Sequence, residues 1–196
     1  MKKLLILLLL SISLSTFALE LDFWSSESFC YKSPNVQNRN GVFYFPNQQE
    51  PINAENLCVY SNGQYHSKGN IVNGSLDGKW NWWHENGQKW EEVNFKDGWQ
   101  EGKSTIWYEN GQKWEEGNFK DGWEEGKWTG WYENGQKSRE WYYIDGKKEG
   151  KWTFWFSNGE REEERNYKDG KPDGKWILFM DDQIFSYREY KDGKEI

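Results

Sequence analysis

The feature that most constrains this chain is a set of three glycine-containing pairs, each of which recurs every 24 residues in phase with the others. Asn-Gly begins at Asn62, Asn86, Asn110, Asn134 and Asn158. A second pair, Asn or Asp followed by Gly, begins at Asn73, Asp97, Asp121, Asp145 and Asp169. Gly-Lys begins at Gly78, Gly102, Gly126, Gly150 and Gly174. Three series in phase predict an array of one structural unit, whose copies bury apolar residues against their neighbours.

Each copy has the pattern of a β-hairpin. The copy that begins at Asn110 has the sequence NGQKWEEGNFKDGWEEGKWTGWYE. Asn-Gly between aromatic-rich segments favours a hairpin with a type I′ turn, because that turn needs positive φ at both central residues. We therefore expect strands at residues 127–133 and 136–143, with residues 145–150 as the returning loop. The predicted fold is all-β: an elongated antiparallel meander of stacked β-hairpins, with five repeats in residues 62–196 and a partial C-terminal copy.

The N-terminus has the pattern of an export signal. Lys2 and Lys3 precede an apolar run at residues 4–14, and Thr16 and Ala18 suit the −3 and −1 positions of a cleavage site. This layout predicts a signal peptide at residues 1–18, and the alternative is an uncleaved anchor. With cleavage, we expect no transmembrane segment and an exported protein that is periplasmic, exposed at the cell surface or secreted.

Residues 19–61 form an N-terminal segment with a degenerate first repeat at residues 41–61. The segment contains both cysteines of the chain, Cys30 and Cys58. An even pair in an oxidising compartment predicts a disulfide, and the alternative is two unpaired thiols. At the other end of the array, residues 181–183 replace the Asn-Gly turn, and we expect this partial copy to act as a polar cap.

Aromatic residues must supply the core of the array. Of the 15 tryptophans, 14 lie between Trp80 and Trp176, a stretch without Leu, Met or Ala. Taking the Asn of Asn-Gly as position 1, apolar residues recur at positions 10, 19 and 22, where a core role is the simplest interpretation. Position 10 holds Ile71, Phe95, Phe119, Tyr143 and Tyr167. Position 19 holds Trp80, Ser104, Trp128, Trp152 and Trp176, and position 22 holds Trp83, Trp107, Trp131, Trp155 and Phe179.

Four tryptophans occupy positions that vary between copies. Position 5 is Trp only at Trp90 and Trp114, and position 14 is Trp only at Trp99 and Trp123. Other copies place His, Ser, Glu or Lys there, so we expect these positions to face solvent. Counting outward from the Asn-Gly turn also predicts the cross-strand pairs Trp83–Trp90 and Trp107–Trp114. We interpret Trp90, Trp99, Trp114 and Trp123 as a binding surface, and the alternative is local packing that extends the sheet.

The remaining composition favours binding over catalysis. A formal net charge of −7 disfavours nucleic acid and anionic membranes, because like charges repel. His66 and His84 fall at positions that other residue types occupy in other copies. An active site needs unlike groups that converge on one point, whereas a repeat array presents the same groups along a line. We therefore predict no enzyme activity, no catalytic residue, no metal site and no cofactor.

The repeat resembles a known family. The motif G-K-W-x-x-W-Y-E-N-G-Q-K at residues 126–137, with small changes at 78–89 and 102–113, resembles the variant MORN repeat (membrane occupation and recognition nexus) of bacterial proteins. N-F-K-D-G at residues 94–98 and 118–122 fits the same pattern. Such proteins are commonly grouped as YwqK-type antitoxins. The resemblance implies an elongated sheet of stacked hairpins and a protein partner, including a toxin that the chain neutralises.

A weaker resemblance suggests another class of ligand. Trp141-Tyr142-Tyr143 and the Gly/Trp hairpins are similar to the choline-binding repeats of cell-wall proteins, which hold quaternary ammonium groups in aromatic cages. The predicted function is therefore an exported, non-catalytic MORN-type repeat protein that binds another macromolecule. The alternative is a module that binds a cell-envelope glycan or a choline-like ligand.

Overall fold

The computed structural model describes residue 30, residue 32 and residues 36–196. The predicted signal peptide at residues 1–18 and Trp24 lie outside the described residues. Within the described part, no helix is long and apolar enough to cross a membrane.

The described residues form sixteen β-strands, numbered in chain order. The strands are β1 (Gln37–Arg39), β2 (Val42–Tyr44), β3 (Ala54–Val59), β4 (Tyr65–Val72), β5 (Ser75–Trp83), β6 (Lys89–Lys96), β7 (Trp99–Trp107), β8 (Lys113–Lys120), β9 (Trp123–Trp131), β10 (Lys137–Ile144), β11 (Lys147–Trp155), β12 (Arg161–Lys168), β13 (Lys171–Pro172), β14 (Gly174–Met180), β15 (Gln183–Lys191) and β16 (Lys194–Glu195). β1 and β2 pair with each other, and the other strands form one sheet.

The large sheet is an antiparallel meander. Its strands lie side by side in chain order from β3 to β16, and the short β13 pairs with β12 beside β14. At about 4.8 Å per strand, the sheet is roughly 60 Å wide. The all-β fold and the array of stacked hairpins that the sequence predicts are therefore confirmed.

The two kinds of turn differ from the prediction. Asp97 and Gly98 both have positive φ (51° and 85°), and Lys96 pairs with Trp99 across them, which defines a two-residue type I′ turn. At Asn110-Gly111 only the glycine has positive φ. There the N–H of Tyr108 donates to the carbonyl of Gln112, which leaves a three-residue loop at residues 109–111. The type I′ turn predicted at Asn-Gly is thus wrong, and this turn type occurs at Asp-Gly.

The shorter Asp-Gly turn lengthens the next strand. β9 begins at Trp123, four residues before the predicted start, because Lys120 pairs with Trp123 directly across the turn. The predicted loop at 145–150 is likewise only Asp145-Gly146, followed by β11. Gly126 lies within β9 at a φ of 70°, where the pairing with β8 shifts register. The Gly-Lys series therefore marks β-bulges, which glycine accommodates at low energetic cost.

The predicted tryptophan pairs across the Asn-Gly turn are also wrong. Trp107 pairs with Lys113 and Ile106 pairs with Glu115, so Trp114 is the extra residue of a β-bulge. The same shift pairs Trp83 with Lys89 and leaves Trp90 in the bulge of the preceding copy. The cause is the three-residue loop, which displaces the pairing by one residue until the bulge restores it.

The core lies along one face of the sheet as two aromatic clusters. One contains Trp80, Trp82 and Val93 together with Ile52 and Ile71. The other contains Trp128, Trp141, Trp152 and Tyr167, and Phe119 packs against both clusters. The predicted core role of position 19 is confirmed by its buried tryptophans. Position 22 is only half-buried in most copies.

Glycines make room for the position-19 rings. A Cβ on Gly69 would lie 2.2 Å from Cδ2 of Trp80, and a Cβ on Gly117 would lie 2.0 Å from Cδ2 of Trp128. Each indole therefore rests on the glycine backbone of the neighbouring strand. Ser104 occupies position 19 between these two tryptophans, and it pairs with Val93 on one side and Gly117 on the other. Because Ser104 is much smaller than tryptophan, the two aromatic clusters are separated at this point.

Residues 36–53 of the N-terminal segment pack against the first strands of the sheet. Cys30 and Cys58 form a disulfide with their Cα atoms 4.7 Å apart. The N–H of Phe43 donates to the carbonyl of Gly74 at 2.8 Å, and Ile52 is buried in the first cluster. Asn56 is fully buried at the position that Trp80 holds in the next copy. Residues 36–53 therefore join the array through its first hairpin.

Candidate binding surfaces

Many recurring polar residues connect one Asn-Gly hairpin to the next. The Tyr108 hydroxyl donates to the carbonyl of Trp131 at 2.9 Å, and Asn110 Nδ2 donates to the carbonyl of Glu133 at 3.2 Å. The equivalent bonds recur in neighbouring copies. A net contribution of about 1 kcal/mol for each bond explains why the motif keeps these residues. They belong to the scaffold and do not mark a ligand site.

The two histidines have structural surroundings. His84 replaces the tyrosine of other copies, and its Nε2 lies 3.1 Å from the carbonyl of Trp107, where the tyrosine hydroxyl donates in those copies. This contact assigns the proton to Nε2. His66 packs edge-on against Tyr60 and contacts Lys32. Burial, together with the nearby Lys32 charge, lowers the pKa of His66 and disfavours its charged form.

A repeated ion-pair motif follows the face opposite the aromatic core. Glu116 accepts hydrogen bonds from Lys103 at 3.1 Å and from Lys113 at 2.5 Å. Partial burial alone would raise the pKa of Glu116, but the two lysines outweigh this effect and hold its pKa below the usual value. The same arrangement surrounds Glu92 and Glu140. Each glutamate is thus paired with two lysines, and one of these ion pairs joins neighbouring strands of the sheet.

The cations of this motif also lie over the aromatic rings at position 22. Lys113 Nζ on β8 is 5.7 Å from the ring centroid of Trp131 on β9, which belongs to the next Asn-Gly hairpin. Equivalent contacts join Lys89 to Trp107 and Lys137 to Trp155. Cation–π contacts of this kind contribute roughly 0.5–1 kcal/mol at exposed sites. The position-22 aromatics therefore connect neighbouring Asn-Gly hairpins, although they are not fully buried.

All four tryptophans of the predicted binding surface are exposed. The exposed fractions are 40% for Trp90, 65% for Trp99, 41% for Trp114 and 62% for Trp123. These four tryptophans therefore face solvent as expected, whereas His66, Ser138 and Glu162 at position 5 and Ser75 at position 14 are half-buried.

The structure divides these four tryptophans into two pairs. Trp90 and Trp114 lie beside the Asn-Gly turns, and Trp99 and Trp123 follow the Asp-Gly turns. Trp99 pairs with Lys96, six residues along β6 from Trp90, which corresponds to roughly 20 Å. The single four-residue surface predicted from the sequence is therefore two smaller surfaces, one at each end of the strands.

Trp99 and Trp123 form the more exposed pair, which we call the Asp-Gly edge pair. A Cβ on Gly122 would lie 2.7 Å from Cε3 of Trp99, and a Cβ on Gly146 would lie 2.6 Å from Cε3 of Trp123. Each indole thus rests on the turn of the next copy and keeps most of its surface open. The two strands that hold the pair are two strand spacings apart, about 10 Å.

Trp90 and Trp114 contact neighbouring rings at the other end of the strands, beside the Asn-Gly turns. The Trp114 ring centroid is 6.2 Å from that of Tyr108, and the Trp90 centroid is 6.5 Å from that of His84. Because these contacts lie within one Asn-Gly hairpin and the exposed fractions are smaller, local packing accounts for this pair better than for the Asp-Gly edge pair.

Two glutamates lie on the aromatic face. Glu91 pairs with Trp82 and Ile106 on its two sides, and burial raises its pKa. Burial also raises the pKa of Glu115, although Arg139 donates to it at 2.5 Å. Within residues 36–196, together with residues 30 and 32, no group of three or more His, Cys, Asp or Glu is placed to hold a metal ion.

The C-terminal hairpin carries apolar residues that the sequence reasoning missed. Asp181 and Asp182 form a polar turn with positive φ at both residues. The following strand exposes Ile184, Phe185 and Tyr187 by 62%, 65% and 61%. The polar cap expected at this end is therefore limited to its turn. This turn is one residue shorter than the turn in other copies, so the 24-residue period misaligns β15. When β15 is aligned by its strand pairing, Phe185 occupies the position of Trp90.

Comparison with known proteins identifies the repeat. No curated protein matches the chain significantly. A family model described as MORN repeat variant matches residues 76–97, 100–121, 124–145 and 148–169. These segments cover four successive copies, from β5 to β12. Repeats of this kind suggest a non-catalytic binding protein. Four successive copies of the repeat in this chain therefore match the MORN repeat variant, over somewhat less than half of its residues.

Proposed function

We propose that this chain is an exported, non-catalytic binding protein that engages a protein partner through Trp99 and Trp123, the Asp-Gly edge pair. One observation carries the proposal: both indoles are more than 60% exposed at a position where other copies of the repeat place Ser or Lys. The sheet does not require tryptophan there. Exposed aromatic pairs on a rigid scaffold are typical of binding surfaces.

The residue type of the surface and the net charge of the chain support a protein partner. Tryptophan is enriched among the residues that dominate protein interfaces, and truncating such a residue typically weakens binding by about 2 kcal/mol or more. The formal net charge of −7 favours a partner with a basic surface and accelerates the encounter at low ionic strength. A toxin neutralised by direct binding is the partner class we propose.

Export is the second part of the proposal. It is supported by the signal-peptide pattern at residues 1–18 and by the disulfide between Cys30 and Cys58, because disulfides persist mainly in oxidising compartments. The observable consequence is a mature chain that begins after residue 18 and is recovered outside the cytoplasm. N-terminal sequencing of the protein purified from its source tests this directly.

The binding experiment compares two matched double variants. Immobilised wild-type protein, W99S/W123S and W90S/W114S are incubated with a cell-envelope extract and with candidate toxins encoded nearby. Serine is the residue that other copies place at both positions. We expect wild type and W90S/W114S to retain the same protein and W99S/W123S to lose it. Equal retention by all three proteins would contradict the proposal.

The same columns test the alternative ligand class. Retention of the wild type on polysaccharide or choline resin, with loss in W99S/W123S and no protein partner, would replace the protein-binding proposal with the glycan or choline-like alternative. A captured toxin must also be inhibited in an activity assay by wild type and not by W99S/W123S. Inhibition by both the wild type and W99S/W123S would show that neutralisation does not depend on the Asp-Gly edge pair.

A further inference from the structure

We propose that a cavity on the aromatic face, at the C-terminal end of the sheet, binds a small carboxylate that carries an apolar or aromatic group. The cavity has a volume of about 260 Å³. The residues that line it include Glu163, Trp176, Leu178, Ser186, Arg188 and Tyr190, which lie on β12, β14 and β15. This volume is slightly below the range typical of ligand pockets, so the cavity suits a single ring with a short acidic arm.

The preceding copy contains a filled version of this site. Strand pairing aligns β15 with β12 and places Arg188 at the position of Arg165. Arg165 donates to Glu163 at 2.6 Å, and its guanidinium lies 4.9 Å from the ring centroid of Phe154. On β11 and β12, an arginine, a carboxylate and an apolar side chain therefore pack together.

The last copy lacks the carboxylate of this arrangement. Ser186 occupies the position of Glu163. Leu178, which pairs with Ser186, is 45% exposed, and the side chain of Arg188 is 68% exposed. The ion pair of Arg188 with Glu195 is long, at 3.7 Å, and an exposed pair of this kind contributes little. The cavity thus offers an arginine and an apolar surface at the place where the other copy supplies a glutamate.

The charge and the rings of the lining identify the ligand class. Glu163 is already paired with Arg165, so the guanidinium of Arg188 supplies the remaining charge of the lining. A guanidinium binds a carboxylate through two parallel hydrogen bonds, which are stronger than bonds between neutral groups. Trp176 and Tyr190 pack with their ring centroids 4.7 Å apart and form an aromatic wall. A carboxylate joined to an apolar group is complementary to both features.

The test titrates the isotope-labelled, full mature protein with phenylacetate and with its neutral analogue phenylacetamide, and follows the backbone amides by NMR. We expect phenylacetate to shift the amides of residues 176–178 and 186–190 saturably, and phenylacetamide to bind at least about tenfold more weakly. R188Q should raise the dissociation constant for phenylacetate at least about tenfold. S186E restores the carboxylate of the preceding copy and should abolish binding, because Arg188 then has an internal partner.

K175Q is the matched control for the loss of one positive charge. Lys175 is adjacent to Trp176 in the sequence, but its side chain lies on the other face of the sheet, where Nζ is 5.1 Å from the ring centroid of Tyr187. We expect K175Q to bind phenylacetate as the wild type does. The amides of β3 to β11 report whether each variant keeps the fold.

A short peptide with a free C-terminal phenylalanine distinguishes two sources of the ligand. Binding at least as tight as that of phenylacetate would support the site and identify a polypeptide C-terminus, and weaker binding would support it and identify a free small acid. The site lies apart from the Asp-Gly edge pair on β7 and β9, so its test is independent of that pair. Absence of saturable shifts at residues 176–190, equal affinity for phenylacetate and phenylacetamide, or equal weakening by K175Q and R188Q would each overturn the proposal.

Discussion

Gly117→Ala tests the packing that orders the second aromatic cluster. The new Cβ would lie 2.0 Å from Cδ2 and 2.2 Å from Cε2 of Trp128, so the indole must move. Trp128 is only 4% exposed and stacks on Trp141 at a centroid distance of 6.1 Å. Overpacking typically destabilises by about 1–3 kcal/mol, and losing a large buried aromatic by about 3–5 kcal/mol. We expect G117A to lower the free energy of unfolding by roughly 2–4 kcal/mol.

Gly130→Ala is the matched control in the same sheet. Its Cβ would lie 2.9 Å from Cγ of Arg139, a milder overlap than at Gly117, and relieving it moves a side chain that also contacts Glu115. Removing a glycine also reduces the conformational freedom of the unfolded chain, which stabilises a compatible position by about 0.4–1 kcal/mol. We therefore expect G130A to change stability by less than about 1 kcal/mol in either direction. Urea denaturation followed by tryptophan fluorescence and by far-ultraviolet circular dichroism compares the two variants.

A double-mutant cycle isolates the contact. In a Trp128→Ser background, which copies the natural Ser104 of the preceding repeat, Gly117→Ala should lose most of its effect, because no ring remains to collide with the new methyl group. The packing argument would be refuted if G117A were no more destabilising than G130A. It would also be refuted if the effect of G117A were unchanged in the Trp128→Ser background.

Three further predictions concern charge, covalent linkage and the contacts between copies. Because burial raises the pKa of Glu91 in the folded state, its carboxylate opposes folding as pH rises through that pKa. We therefore expect E91Q to stabilise the protein at neutral pH. Acid-denaturation curves should show that this gain vanishes below the usual glutamate pKa. Cys30→Ser with Cys58→Ser should lower stability by roughly 3–4 kcal/mol, the effect of opening a loop of 28 residues; equal melting temperatures of wild type and variant under oxidising conditions would contradict this. Tyr132→Phe removes the 2.7 Å bond to the carbonyl of Trp155 and should lower stability by about 1–2 kcal/mol in urea denaturation, whereas an unchanged midpoint would show that this bond between copies contributes nothing.

The repeat period was enough to predict the fold. Three series of glycine pairs in phase define one hairpin per copy, and the structure arranges those hairpins as one meander. The turn types were not predictable from the same residues. Asn-Gly and Asp-Gly both suit a type I′ turn, and the difference between a two-residue and a three-residue loop depends on how the strands pair. The assignment of the turns was reversed for that reason.

The candidate site was predictable only in part. Variation between copies correctly indicated that Trp90, Trp99, Trp114 and Trp123 are exposed. Whether the four residues share one surface depends on their separation along the strands. That separation is set by the lengths of the turns, which the sequence did not predict. The exposed residues of β15 were missed because the shortened turn shifts this copy by one residue. A fixed period of 24 then no longer aligns Phe185 with the tryptophan positions.

The central claim is that the Asp-Gly edge pair serves binding and is dispensable for folding. The most direct measurement is the dissociation constant of the captured partner for wild type and for W99S/W123S, taken with the melting temperature of both proteins. We predict an affinity at least about a hundredfold weaker in the variant with a nearly unchanged melting temperature, because two exposed tryptophans are lost from the interface and none from the core. An unchanged dissociation constant, or a variant that no longer folds, would contradict the claim.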